Sequence, residues 1–281
     1  MTPRQVALAV VPPLCFGTGF TLAKPAMAHF PPLFTMAIAY GCIALVLLAV
    51  RPVRPRTPWW AAVVVAALAV PIQGALLFWG LAGMSAVAAN LILQIQVPMA
   101  IIWGWLLTGE RLHRQKLIGT AIATAGVFAV IGLPDEPPPL LPTLMIIAAA
   151  LCWSLGQVLA QRLGRDDGIG QLQCNAYAGT PMLIGATLLI EHGQWPAITT
   201  ATPQHWLMLG FVVVVGFGLA YAAWYTLLRM IPIDSVAPFM LLMPVFGIAT
   251  AWPALGEAIT SVQILGGSII LFGLAMVSGI G

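Results

Sequence analysis

"LCFGTGFTLAK" runs from Leu14 to Lys24, and "LCWSLGQVLAQ" runs from Leu151 to Gln161. The copies are offset by 137 residues (151 − 14), with Leu, Cys, Gly, Leu and Ala in matching places. A second pair agrees. "TGERLHRQKLIG" (Thr108 to Gly119) resembles "LGEAITSVQILG" (Leu255 to Gly266) at an offset of 147 (266 − 119), which also relates Gly126 to Gly273 and Trp105 to Trp252. The chain is therefore written twice. What the repeat means depends on the solvent it sits in.

That solvent is lipid. The chain is 60% hydrophobic and 7% charged, with a mean hydropathy of +0.99. Soluble proteins carry about 25% charged residues, so this chain cannot cover a water-facing surface. A net charge of +3 on such a chain does not indicate nucleic-acid binding and is read by position instead.

A crossing helix needs about 20 mostly apolar residues. Ten such runs fall near 4–23, 32–50, 58–80, 84–106, 114–132, 142–161, 171–190, 205–227, 235–255 and 261–279. The Pro-rich stretch "GLPDEPPPLLP" is the one linker-like segment. It divides the chain into a first five-helix unit (1–133), a connector on the outer side (134–141) and a second five-helix unit (142–281). With the N-terminus inside, Arg4, Arg51, Arg54, Arg56, Arg111, Arg114, Lys116, Arg162, Arg165 and Arg229 lie at inner ends, and Lys24 does not. Lys and Arg resist translocation, so this asymmetry predicts that both termini are cytoplasmic.

Five is an odd number, so the second unit must cross the membrane in the opposite sense to the first. The expected fold is an all-α integral membrane bundle of ten helices built as two inverted five-helix repeats. Inverted repeats are the architecture of secondary transporters, because a pseudo-two-fold axis gives one site two conformers of similar energy.

The residues that carry the repeat also carry a family resemblance. "CWSLGQVLAQ", "LTGERLHRQKLIGTAIATAGV" and "ALGEAITSVQILGGSIILFGLAMV" resemble the drug/metabolite transporter superfamily, and within it the EamA-type exporters. The chain is most similar to their bacterial aromatic amino acid exporter branch. The resemblance covers essentially the whole chain and implies export of small metabolites. It departs in span two, where many EamA proteins place an arginine and this chain has Ala39 and Tyr40.

Interrupted helices at equivalent places in two halves point to a transporter's site. Pro98 and Pro244, near the middles of spans four and nine, each remove a backbone donor. Pro71 and Gly74 in span three, with Gly216 and Gly218 in span eight, are the expected hinges. Amides inside spans must face the bundle or a wet cavity, because an unsatisfied amide in hydrocarbon is costly. Gln73, Asn90, Gln94, Gln96, Gln157 and Asn175 are of this kind. On an undistorted helix Asn90 and Gln94 share a face, with Gln96 opposite. Trp59, Trp60, Trp195 and Trp206 flank spans and read as interfacial anchors, while Trp79, Trp103, Trp153, Tyr221, Trp224 and Tyr225 lie deeper. The predicted substrate contacts are Tyr40, Trp79, Asn90, Gln94, Trp153, Gln157, Tyr221 and Trp224. For any single one of them, packing is an equally good account.

Other features are bland. Glu110 and Glu257 stand at span ends, where charge is tolerated and helix N-termini favour it. The pairs Gly119/Gly126 and Gly266/Gly273 repeat at seven residues and predict close packing, either within the bundle or at a homodimer contact. His29, His113, His192 and His205 read as solvated loop residues, and Cys15, Cys42, Cys152 and Cys174 as small buried ones. No spacing suits a metal, and no cofactor is expected.

No Asp, Glu, Lys or Arg occupies the central third of any span. Ion-coupled carriers usually show intramembrane carboxylates there. A neutral cavity suits amino acids and similar metabolites, exported down their gradients by alternating access. An exporter of other metabolites or drugs coupled to protons and a lipid flippase are the alternatives. A membrane-embedded enzyme would need a nucleophile–base pair or metal ligands at depth, and the sequence offers neither.

Overall fold

In hydrocarbon every backbone donor and acceptor must be satisfied within the segment, which leaves the helix as the form for this composition. The computed structural model describes the backbone of residues 1–52, 54–84, 86–109, 113–132, 137–255 and 260–278, and their side chains except at 20–28, 86–88 and 251–255. Glu110, Arg111, Glu257, part of the connector and the side chains of Lys24 and Trp252 lie outside the described residues.

All described elements are helical: α1 (Pro3–His29), α2 (Pro32–Val50), α3 (Trp59–Ala82), α4 (Ala86–Leu93), α5 (Gln96–Thr108), α6 (Arg114–Ile131) and α7 (Leu140–Leu163). They continue with α8 (Gly168–Ile190), a short α9 (Gln194–Thr199), α10 (Pro203–Met230), α11 (Ile233–Val236), α12 (Met243–Leu255) and α13 (Ser261–Ser278). Prolines mark several starts, because a first-turn residue needs no N–H partner; α2 and α10 open on Pro32 and Pro203. Gly109, at φ 72°, ends α5 in the left-handed conformation that glycine adopts without steric cost. Among the described residues, eight segments are long and apolar enough to cross a membrane. The other two of the expected ten correspond to α1 and α8, 27 and 23 residues long.

The irregular segments come in pairs. α3 widens to π geometry at Leu68–Ile72, around Pro71, and α10 does so at Val212–Leu219, around Gly216 and Gly218. Shifting the first by 147 residues lands it inside the second. Between α4 and α5 the helix breaks at Gln94 and Ile95, and between α11 and α12 it tightens to 3-10 geometry at Ala237–Leu242. The physical cause is shared. Pro98 cannot donate to the Gln94 carbonyl, which accepts instead from Val97 N at 3.1 Å. The Met240 carbonyl, four residues before Pro244, likewise accepts from Met243 N. The break alters one expectation: Gln94 and Gln96 are both buried, whereas Asn90 is exposed and does not share the face of Gln94.

The two halves interlock. α1 packs on α10 and α12, α7 on α3 and α5, α2 on α8, and α6 on α13. At these crossings small residues allow backbone contact. A Cβ on Gly19 of α1 would stand 3.1 Å from Gly216 Cα of α10. One on Gly156 of α7, the repeat counterpart, would stand 2.9 Å from Ala69 Cβ of α3. Gly126 and Gly266 approach reciprocally, each within 2.8 Å of where the other's carbonyl oxygen meets an added Cβ. Gly119 and Gly273 do the same at 2.6 and 2.5 Å. The glycine pairs thus serve the bundle interior, and α6 and α13 run antiparallel. Not every small residue is buried: Cys42 is exposed, while Cys15 and Cys174 are buried.

Both chain ends meet at one end of the bundle, where the Met1 ammonium donates to Ser278 O at 3.1 Å. The cationic loops gather there too. Lys116 pairs with buried Asp234 at 2.8 Å and donates to Ser235 Oγ at 2.7 Å. Arg51 bonds Asp167 at 2.8 Å. Asp166 accepts from Arg56 N at 2.8 Å, Thr57 N at 2.9 Å and Thr57 Oγ1 at 2.6 Å. Its partial desolvation opposes ionisation, but these donors outweigh it and hold the carboxyl below the usual aspartate range. A lowered folded-state pKa gives stability that is present above the unfolded value, about 3.9, and lost as pH falls through the folded one. Asp166→Ala should therefore cost about 2 kcal/mol at neutral pH. The gap in melting temperature from wild type should narrow as pH falls below the unfolded value; a gap that persists undiminished in acid would assign the loss to something other than the carboxylate.

Candidate functional site

Three helices carry polar or aromatic side chains at four-residue spacing, which stacks them on one face. These are Trp153, Gln157 and Gln161 on α7, Tyr221, Tyr225 and Arg229 on α10, and Gln171 and Asn175 on α8. The interlocked packing turns these stripes toward one another. Tyr40, Trp153, Gln157, Tyr221 and Trp224 form one cluster in which none is more than 6% exposed. Trp153 and Trp224 lie 5.4 Å apart, Tyr40 and Tyr221 6.2 Å, and Phe16 of α1 meets Tyr221 edge-on at 5.1 Å. Tyr221 stacks on Tyr225 at 5.7 Å. Trp224 Nε1 donates to Gln157 Oε1 at 2.8 Å.

Of the eight predicted contacts, five thus come together. Gln94 is buried at the interruption between α4 and α5, with its Oε1 unpaired among the described residues. Trp79 and Asn90 are not part of this cluster: Trp79 is 46% exposed on α3, and Asn90 is exposed on α4. Depth selected them, and depth does not say which way a side chain faces.

The sequence reading left out Gln171 and Arg229 and kept Tyr225 and Asn175 outside the site. These four form a polar line that runs from half-buried Arg229 to fully buried Gln171, Asn175 and Tyr225. Arg229 Nη2 donates to Gln171 Oε1 at 3.0 Å, Gln171 Nε2 to Asn175 Oδ1 at 3.0 Å, and Asn175 Nδ2 to the Tyr225 hydroxyl at 2.6 Å. Arg229 also donates to Gly164 O at 2.7 Å and Ala160 O at 2.5 Å, a cation on the C-terminal carbonyls of α7 where the helix dipole favours it. Its position near a span end hid this role, although the Tyr221/Tyr225/Arg229 spacing was visible.

At the opposite end of the bundle, an open cavity is lined by His29, Glu191, His192 and Thr200. His29 is not simply solvated. It bonds Ala197 O at 2.9 Å and stacks on His205 at 4.0 Å. Glu191 accepts from Leu33 N and Phe34 N at 2.8 and 2.9 Å, capping the start of α2. No group of three or more His, Cys, Asp or Glu suited to a metal occurs among the described residues.

An interlocked helical bundle with paired helix interruptions and a buried aromatic–amide cluster has the form of a membrane transporter. The chain belongs to the EamA-like transporter family, whose model matches residues 4–132 and 140–279. It is 28% identical, over 98% of its length and 94% of the relative's, to an Escherichia coli protein named "Probable amino-acid metabolite efflux pump". It is 26% identical, over 86% of its length and 79% of the relative's, to a Chlamydia trachomatis "S-adenosylmethionine/S-adenosylhomocysteine transporter". A solved crystal structure at 18% identity superposes with a TM-score of 0.84 over 100% of this chain and 99% of that one, so the fold is shared.

Proposed function

We propose that this transporter exports neutral small metabolites, amino acids foremost and aromatic ones among them, by alternating access. In this reading ten helices cross the bacterial inner membrane as two inverted repeats, 1–133 and 142–281, joined by the outer connector 134–141, with both termini cytoplasmic. The paired π segments, the paired proline interruptions and the antiparallel crossing of α6 on α13 support it. So does the gathering of the cationic loops beside both chain ends.

The observation that carries the substrate class is the cluster of Tyr40, Trp153, Gln157, Tyr221 and Trp224. It offers aromatic walls and amide or hydroxyl groups and no formal charge, which suits a compact neutral solute. The hinges are Pro71 and Gly74 opposite Gly216 and Gly218, with Pro98 and Pro244 relaxing the neighbouring helices. No carboxylate lies in the cluster to couple an ion, so flux should follow the substrate gradient. Counterflow of labelled phenylalanine and leucine in proteoliposomes, at equal pH and without sodium, tests this. Exchange under those conditions is the expected result. Flux only under an imposed proton gradient would favour the ion-coupled exporter. No amino-acid flux, together with movement of labelled lipid between leaflets, would favour a flippase.

A further inference from the structure

Two side chains that can only donate hydrogen bonds set the polarity of everything around the cluster. Arginine has no acceptor, so its bond to Gln171 requires Gln171 Oε1 to face it. The Gln171 amide nitrogen must then donate to Asn175 Oδ1, and the Asn175 nitrogen to the Tyr225 oxygen. The Tyr225 hydroxyl is left as an acceptor with its own proton unused, and no acceptor receives that proton in the hydrogen bonds of the described residues. Indole N–H is likewise donor-only, so Trp224 fixes Gln157 Oε1 as acceptor and leaves Gln157 Nε2 as the free end. That nitrogen is fully buried and has no hydrogen-bond partner among the described residues. Gln157 lies within side-chain reach of the Tyr225 hydroxyl, but its Nε2 does not meet hydrogen-bond geometry there.

We infer that Gln157 Nε2 and the Tyr225 hydroxyl form a paired donor site for the carboxylate of the transported solute, polarised from a distance by Arg229. Unused buried donors are costly, and an anionic acceptor is the group that relieves both at once. A chain of aligned amide dipoles brings part of the arginine's field to the site without placing a charge in it. This explains how a cluster without cations can select for a carboxylate. The inference rests on the transporter reading for its solute. The stacked ring of Tyr221 and the Trp153–Trp224 pair would then hold the apolar part.

The test is binding to the purified full-length protein in detergent, read by thermal shift. Phenylalanine and 3-phenylpropionate carry the carboxylate; phenylalaninamide and phenethylamine lack it. The first two should stabilise the protein and the last two should not. Tyr225→Phe and Gln157→Glu should each weaken the carboxylate ligands about tenfold or more, as expected for a lost bond to a charged group. Gln171→Glu is the more searching variant, because it touches no ligand. A glutamate accepts from Arg229 but cannot donate, so Asn175 must turn its nitrogen toward position 171 and its oxygen toward Tyr225, capturing the free proton. Carboxylate affinity should fall by a similar factor while the melting temperature without ligand holds, since a new ion pair is gained. Equal binding of the amine and carboxylate probes, no binding of either carboxylate, or full affinity in Gln171→Glu would each overturn the inference. Carboxylate binding without amino-acid counterflow would leave the site standing and remove the transport reading; counterflow indifferent to the carboxylate would do the reverse.

Discussion

A Gly126→Leu chain is expected to give no monodisperse folded protein, and Gly126→Ala to melt about 5–10 °C below wild type. The reason is that α6 and α13 touch backbone to backbone. A Cβ on Gly126 would stand 2.8 Å from Gly266 O and 2.8 Å from Ile270 N, and neither atom can rotate aside. The helices must separate, losing dispersion contacts along their whole crossing. Gly266→Ala should cost a similar amount, because its added Cβ meets Gly126 O at 2.8 Å. Once one alanine has parted the helices, the second meets less resistance, so the double variant should lose less than the two singles together. Size-exclusion profiles and melting curves of wild type and the four variants decide this. Strictly additive losses, or a leucine variant that melts like wild type, would mean that the crossing is looser than described.

Trp224→Ala should change what is carried more than how much. Trp224 is almost fully buried, faces Trp153 at 5.4 Å and holds Gln157 by its indole N–H. Its removal should cost about 3–5 kcal/mol of stability and open space beside the amide. The rate ratio for tryptophan over alanine should rise about tenfold, the scale on which pocket size discriminates between side chains. Trp224→Phe separates the two roles, since it keeps most of the ring and leaves Gln157 Oε1 without its donor. It should leave the ratio near wild type and slow all substrates together. Initial rates normalised to folded protein give the answer. Ratios unchanged in both variants would assign Trp224 to packing.

The helices themselves were legible in the sequence, because hydropathy reports what can sit in lipid. The interruptions were half legible. Pro98 and Pro244 announced them, but the break falls earlier, at the carbonyls to which those prolines cannot donate. Facing was the part that did not show. In a helix that is apolar on all sides, lipid and protein accept the same residues, so Trp79 and Trp153 look alike in sequence although one is half-exposed and the other buried. Polar spacing was the better guide, since Tyr221, Tyr225 and Arg229 stand on one face and an amide or guanidinium must find a partner. Gln171 and Arg229 escaped attention only because they lie near span ends.

The interlocking of the halves bears on how the protein is made. The ribosome delivers α1 to α6 before the helices on which they mainly pack. α1 waits for α10 and α12, α2 for α8, α3 and α5 for α7, and α6 for the last helix of all. At a synthesis rate of about 5–20 residues per second, that interval lasts on the order of ten seconds. Until then the strip of Gly119 and Gly126 faces lipid or a chaperone. Biogenesis therefore closes in steps as α7, α8, α10 and α12 arrive, the α6 crossing last of these when α13 inserts. A nascent chain that stops short leaves a surface ready for quality-control proteases to recognise.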